Sequence, residues 1–439
     1  MCSIVAFLCL TVAASPASID IRAHGAKGDG TTKDTRAIQS AIDAAEKQGG
    51  GTVTIPAGRY LSGTIHVKSN VTLYLDNGAV ILASRDETDF DPYEQPNFKP
   101  PDDRETTYFH YALLAGEKIH DVAITGEGAI DGNRDKRGGP KTIALKLAER
   151  VTIRGITVRN SPNYAISFLG CDNVLVDGVR IFNSYADGID PDSSRFVRIA
   201  NSYIDSSDDA ICPKASFALG YRRSTEHITV VNCTTRTRAN HFKLGTESEG
   251  GFRDIVVSNL TMLSRDPSLD GGRRAKSGIS LEMVDGGILE RVAISNVTMT
   301  DPQAAIFIRL GNRGRAMDPP TAGALRDVSI QNVIATGLTL ASSITGLENA
   351  RVSNVTLDNV QLEYEGGFTG KLPIVVDEHP AKYPESTMFG ELPSWAFYAR
   401  HADGLDLRNV RVRTKKNDPR PPLVIDDVRL VEGSRLRIY

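Results

Sequence analysis

The sequence predicts an all-β protein: a single-stranded, right-handed parallel β-helix with an amphipathic helix over its N-terminal end. Three observations lead there. Apolar residues alternate with polar ones in short runs, as at Val151, Ile153, Ile156 and Val158. The run returns at Val174, Val197, Ile228, Ile255, Val292, Val328, Val355 and Leu405, and its shortest repeat is 23 residues. No helical pattern separates these runs. Alternation means strand, and strands at a fixed period without intervening helices stack as the coils of a solenoid. One coil cannot bury its inner face alone, so a stacked Val/Ile/Leu column becomes the core.

The chain opens with an apolar run from Ile4 to Ala14 followed by Ser15, Pro16, Ala17 and Ser18. Residues 1–17 read as a secretory signal without its basic leading segment, or alternatively as a buried strand. The signal reading makes the protein secreted or periplasmic and leaves 18–439 as the β-helix domain. No other apolar stretch is long enough to span a membrane. Next, Ala37, Ile38, Ala41, Ile42 and Ala45 keep helical spacing, with Asp34 or Thr32 as N-cap and Gly49, Gly50 and Gly51 as the stop. This helix would plug the raw end of the solenoid. Asn160 and Asn183, one repeat apart, are expected to stack at a turn.

Two stretches leave the pattern. Residues 85–110 read as a long acidic, Pro-containing loop. Residues 364–403 carry Trp395, the only tryptophan of the chain. Trp395 is either a platform for a sugar ring or a cover over the core. The net charge of −3 excludes partners held by bulk charge, such as nucleic acid or an anionic membrane. Cys171, Cys212 and Cys233 are odd in number and lack metal-ligand spacing, so they read as small buried hydrophobes. No cofactor and no metal are expected, and the chain is expected to act as a monomer.

Chemistry concentrates in two acidic segments that follow the runs at Val174 and Val197. The first contains Asp187 and Asp190, the second Asp208 and Asp209. One turn of a solenoid would put Asp187 and Asp209 on adjacent strands, about 4.8 Å apart, with Asp208 beside them. Carboxylates that crowd each other raise at least one proton affinity, which suits a reaction needing both an acid and a base. The competing readings are a solvated acidic loop and a calcium site.

With these residues the chain resembles glycoside hydrolase family 28, the polygalacturonase-like pectin hydrolases. The resemblance runs from Gly28-Asp29-Gly30-Thr31 through Gly126-Glu127-Gly128-Ala129-Ile130-Asp131-Gly132 to the last coils. The family's Asn-Thr-Asp motif appears as Tyr185-Ala186-Asp187, and its Gly-Asp-Asp motif as Ser207-Asp208-Asp209. The resemblance implies metal-free, inverting hydrolysis of an anionic pectic polysaccharide, with Asp208 as general acid and Asp187 and Asp209 holding the water. Inversion would call for carboxyls about 6.5–9.5 Å apart, which a strand-to-strand diagonal supplies.

Two motifs depart from the family. Its Gly-His-Gly-Leu-x-Ile-Gly-Ser aligns with Ala239 to Thr246, so Asn240 takes the histidine's place and His241 the next position. A one-residue shift reverses a side chain's face, so either a bulge re-aims His241 into the site or Asn240 serves there. The family's Arg-Ile-Lys aligns with Ser280, Leu281 and Glu282. Arg309, one coil later, either pairs with Glu282 or binds substrate. Lys214, Lys243, Arg236 and Arg238 are the other candidates for gripping a uronate. A β-helix polysaccharide lyase with Lys214 as base and a non-catalytic glycan-binding β-helix are the alternatives.

Overall fold

The computed structural model describes residues 18–100, 104–265, 274–372 and 375–439; the proposed signal segment lies outside them. The described chain is a right-handed parallel β-helix. The apolar runs stack in register: Val151 on Val174, Val174 on Val197, Val197 on Ile228, and Ile228 on Ile255. The column goes on through Val292, Val328, Val355 and Leu405. Every member is buried, as a column that two faces must share requires. The solenoid starts earlier than the repeat suggests, because Ile19 pairs with Val53 and Val53 with Leu73.

The helix Thr35–Lys47 lies between these first two strands of the stack. It buries Ile38, Ala41, Ile42 and Ala45 against the core. Asp34 occupies the N-cap position without capping through its side chain. Its carboxylate instead accepts from the Lys27 and Gly28 amides at 2.7 and 3.0 Å, tying the preceding loop to the helix start.

Polar stacking occurs at a different turn from the one expected. Asn160 donates to Asp131, and Asn183 accepts from Arg265. The continuous ladder is Asn201, Asn232, Asn259, Asn296, Asn332, Asn359 and Asn409. In it each amide nitrogen donates to the preceding amide oxygen at 2.9–3.2 Å. All seven sit at positive φ, 48–58°, a conformation that asparagine tolerates better than most residues.

Residues 364–403 hold the answer on Trp395. It is 6% exposed and meets Tyr364 edge-on at 5.6 Å, so it covers the core and offers no face to a sugar. Cys171, Cys212 and Cys233 are free thiols and buried, as small hydrophobes should be. Among the described residues no helix is long and apolar enough to cross a membrane.

Candidate active site

The carboxylates are gathered by one corner that recurs in successive coils. Ile189 bridges to Ile211 and Ile211 to Phe242, in parallel register. Counting from these pairs, Asp187, Asp209 and Asn240 form one row, and Asp190, Cys212 and Lys243 form another. Between them lie Gly188, Ala210 and His241. The Gly188 and Ile189 amides bond the Asp209 and Ala210 carbonyls, and the Ala210 and Ile211 amides bond those of Asn240 and His241. Two successive amides facing the same neighbour break the period of two, so two consecutive residues per coil turn inward. Space there is tight: a Cβ on Gly188 would stand 2.4 Å from both the Ala210 carbonyl and Ile204.

That geometry separates Asn240 from His241. Asn240 joins the acidic row and donates to Asp209 Oδ1 from its side chain at 2.7 Å and its amide at 3.0 Å. His241 points inward, 0% exposed, with Nδ1 2.9 Å from Thr235 Oγ1. Burial drives its pKa down to about 3, so the ring stays neutral. The corner, not a bulge, sets the face of His241, and its Nδ1 contact is Thr235 and none of the carboxylates.

Asp187, Asp208 and Asp209 offer oxygens that all lie within 4.8 Å of one another. The expected wide diagonal is therefore not formed. The corner puts Asp187 directly under Asp209, whose amide donates to Asp187 Oδ1 at 3.2 Å. Two buried ammonium groups compensate the charge. Lys214 Nζ reaches Asp187 at 2.7 Å and Asp190 at 2.6 Å. Lys243 Nζ lies 3.2 Å from Asp209, 3.5 Å from Glu282 and 3.3 Å from the Tyr383 hydroxyl. Glu282 thus pairs with Lys243, while Arg309 turns to the backbone carbonyls of Gly346 and Glu378. Arg309 is 1% exposed and joins neither Glu282 nor the carboxylate row.

The proton affinities split across the rows. Burial, followed by the Asp190, Asp208 and Asp209 charges, pushes Asp187 well above the ordinary carboxylate value in spite of Lys214. Burial also takes Asp190 up to about 6 against the pull of Lys214. Burial acts on Asp209 as well, but Lys243, Lys214 and the Asn240 amide outweigh it and hold Asp209 below its usual value. Glu282, buried beside Lys243, rises to about 7. One row therefore carries two carboxyls shifted in opposite directions, Asp187 up and Asp209 down, as acid–base chemistry favours.

Three contributors escaped the sequence reading. Glu105 comes from a short helical turn, Arg104–Thr107, Arg137 from an irregular segment between coils, and Tyr383 from the 364–403 excursion. Arg137 binds Glu105 with its Nε and Nη2 and Asp208 with its Nη1. Asp190 also went unassigned, although its place three residues after Asp187 marks the second row. The carboxylates, Arg137, Lys214, Lys243 and Tyr383 enclose a small cleft of about 90 Å³. Arg137 and Asp208 also border an adjoining groove of about 770 Å³, where Arg236, Arg238 and Lys276 lie.

Comparison with known proteins supplies the family. The model of glycosyl hydrolases family 28 matches residues 48–378. A probable polygalacturonase of Vitis vinifera is 26% identical, over 86% of this chain and 85% of its own length. An exo-poly-alpha-D-galacturonosidase of Dickeya chrysanthemi is 27% identical, over 76% of this chain and 65% of that protein. The crystal structure of an exopolygalacturonase from Thermotoga maritima superposes with a TM-score of 0.68 at 23% identity, over 80% of this chain and 87% of the other. The family match spans most of the solenoid and both acidic segments, so the chain belongs to glycosyl hydrolases family 28 and is a glycoside hydrolase.

Proposed function

We propose that this enzyme hydrolyses galacturonic-acid-containing, pectic glycosides, with Asp208 as general acid and Asp187 and Asp209 holding the attacking water. The observation that carries the reading is the cluster itself: three carboxylates within 4.8 Å, of which Asp209 is shifted below and Asp187 above the ordinary carboxylate value. Asp209 is the member kept as an anion able to accept a proton, its charge held by Lys243 and Asn240. Asp208 is the most exposed of the three, its side chain 31% accessible, and borders both cleft and groove, where a glycosidic oxygen could meet it. The relatives' names support a galacturonan as substrate. Such a polymer is met outside the cytoplasm, which supports an exported enzyme.

The lyase reading loses ground on Lys214. A lyase base must be free to take a proton, whereas the Asp187 and Asp190 charges override burial and hold the Lys214 ammonium well above its ordinary pKa. A calcium site is disfavoured because two ammonium groups already neutralise Asp187 and Asp209, leaving less anionic charge than calcium binding draws on.

The test is release of reducing ends from polygalacturonate by the purified protein, and its loss in Asp208→Asn. Removal of a general acid should cost about 10²–10⁴-fold in kcat with an unchanged melting temperature. Proton NMR of the first product should show the anomer opposite to the bond cleaved if water is the nucleophile, although the nearest carboxylate oxygens stand closer than in an open inverting pair. Retention would mean that a carboxylate attacks the sugar directly, and unsaturated products would mean elimination.

A further inference from the structure

We propose that Arg137 is a latch on the general acid, opened by the carboxylate of the uronide itself. The inference rests on the hydrolase reading above and adds to it a source of substrate selectivity. Of the cations that line the small cleft, Lys214 and Lys243 are 4% and 1% exposed and each is committed to two buried carboxylates. A substrate that recruited either would have to break a buried ion pair, which is costly. Arg137 differs. Its side chain is 44% exposed, and it borders both the cleft and the groove.

Glu105 holds one edge of the Arg137 guanidinium through Nε and Nη2, and Asp208 Oδ2 takes Nη1. An oxygen that accepts from a guanidinium does not carry the proton that a general acid must donate. The other Asp208 contacts are made by its backbone carbonyl, which accepts from Ser206 and Thr237 hydroxyls. Those contacts fix the main chain and leave the carboxyl free to turn once Arg137 lets go. A galacturonate carboxylate matches the planar fork of arginine and can replace Asp208 on it. The freed Asp208 then has an added anion nearby and Asp187 and Asp209 within 4.8 Å, so it takes up a proton from solvent. That proton is the one later donated to the leaving oxygen. A neutral galactoside leaves the latch closed.

The remaining charges around Asp208 do not depend on Arg137. On the cleft side they are Asp187, Asp209, Lys214, Lys243 and Glu247, with Glu105 the one exception because Arg137 binds it. Along the groove they are Asp135, Lys136, Asp205, Arg236, Arg238 and Lys276, with Arg265 on Asp205. Arg137→Gln keeps all of these, removes the latch and releases Glu105.

Calorimetry in buffers of different ionisation enthalpy reads the proton directly. The probes are galacturonic acid, which has no bond to cleave, and galactose. Wild type should take up protons on binding galacturonic acid, and Arg137→Gln should take up none. Steady-state kinetics form the second arm. The ratio of kcat on trigalacturonate to kcat on the matching galactotriose should fall by about tenfold or more in Arg137→Gln, because the neutral sugar now meets an unlatched acid. Equal proton uptake in the two proteins, or no uptake in wild type, overturns the latch. If no protein cleaves trigalacturonate while the difference in proton uptake persists, the hydrolase reading falls and the latch stands.

Discussion

Two strips of the solenoid obey opposite rules. Along the asparagine ladder, Asn201 to Asn409, each coil repeats the same side chain, the same left-handed backbone and the same hydrogen bond. Along the catalytic strip, residues in register change at every coil: Asp187, Asp209, Asn240 in one row and Asp190, Cys212, Lys243 in the next. The ladder is exposed and made of neutral amides, while the catalytic strip buries full charges of both signs. Repetition secures the stack, and a local departure from repetition gathers the charges.

Substitutions should separate the two strips cleanly. The largest effect is expected for Asp209→Asn, which removes the ionised member of the row. Turnover on polygalacturonate should drop by about 10²–10⁴-fold. Adding Asp187→Asn should cost much less than the product of the two single losses, since the two carboxyls titrate as a unit. Additive losses in stopped-assay kinetics would show two independent groups. Next comes Lys214→Met, which leaves Asp187 and Asp190 buried with no cation. Denaturant unfolding should lose about 3–5 kcal/mol near pH 8. The loss should shrink at pH 5, because Asp190 has its raised pKa of about 6 and Asp187 a proton affinity that is also high. Below that range the variant's carboxyls bind protons and shed the unpaired charge. A loss that does not vary with pH would mean Lys214 acts by packing alone. The smallest effect belongs to the ladder: Asn259→Ala gives up two amide bonds at φ 58° and should cost about 2 kcal/mol with kcat unchanged. Altered kcat would couple the strips.

The same contrast explains what could be read from the sequence. The Val/Ile/Leu column follows from alternation and period, and each run from Val151 to Leu405 is in register. Asp187 and Asp209 were legible because they keep one phase of that period. Glu105, Arg137 and Tyr383 were not, since they lie in insertions between coils, a short helical turn for Glu105 and irregular chain for the others, where no repeat transfers position from one to the next. His241 was ambiguous for a definite reason. The corner turns two successive residues inward, so alternation cannot assign its face, and the small residues Gly188 and Ala210 in the two coils before it were the only hint. Trp395 shows the limit of composition: a lone tryptophan in a loop fits a sugar platform and a core cover equally well until its neighbour Tyr364 is known.

The asparagine ladder also has a direction. Each amide donates toward the N-terminal coil, so the bond dipoles add along the solenoid axis as peptide dipoles do along a helix. The ends are matched to that polarity. Asn201 donates to the Asp177 carboxylate at 2.9 Å, and the Asn409 oxygen accepts from Arg411 Nε at 3.1 Å. An anion thus stands at the positive end and a cation at the negative end. The two ends of the stack are therefore not equivalent to a fraying coil. Peeling from the C-terminal side always bares amide oxygens and asks for a new cation, whereas peeling from the N-terminal side bares N–H groups and asks for an anion, so salt and pH should act differently on the two directions of unfolding.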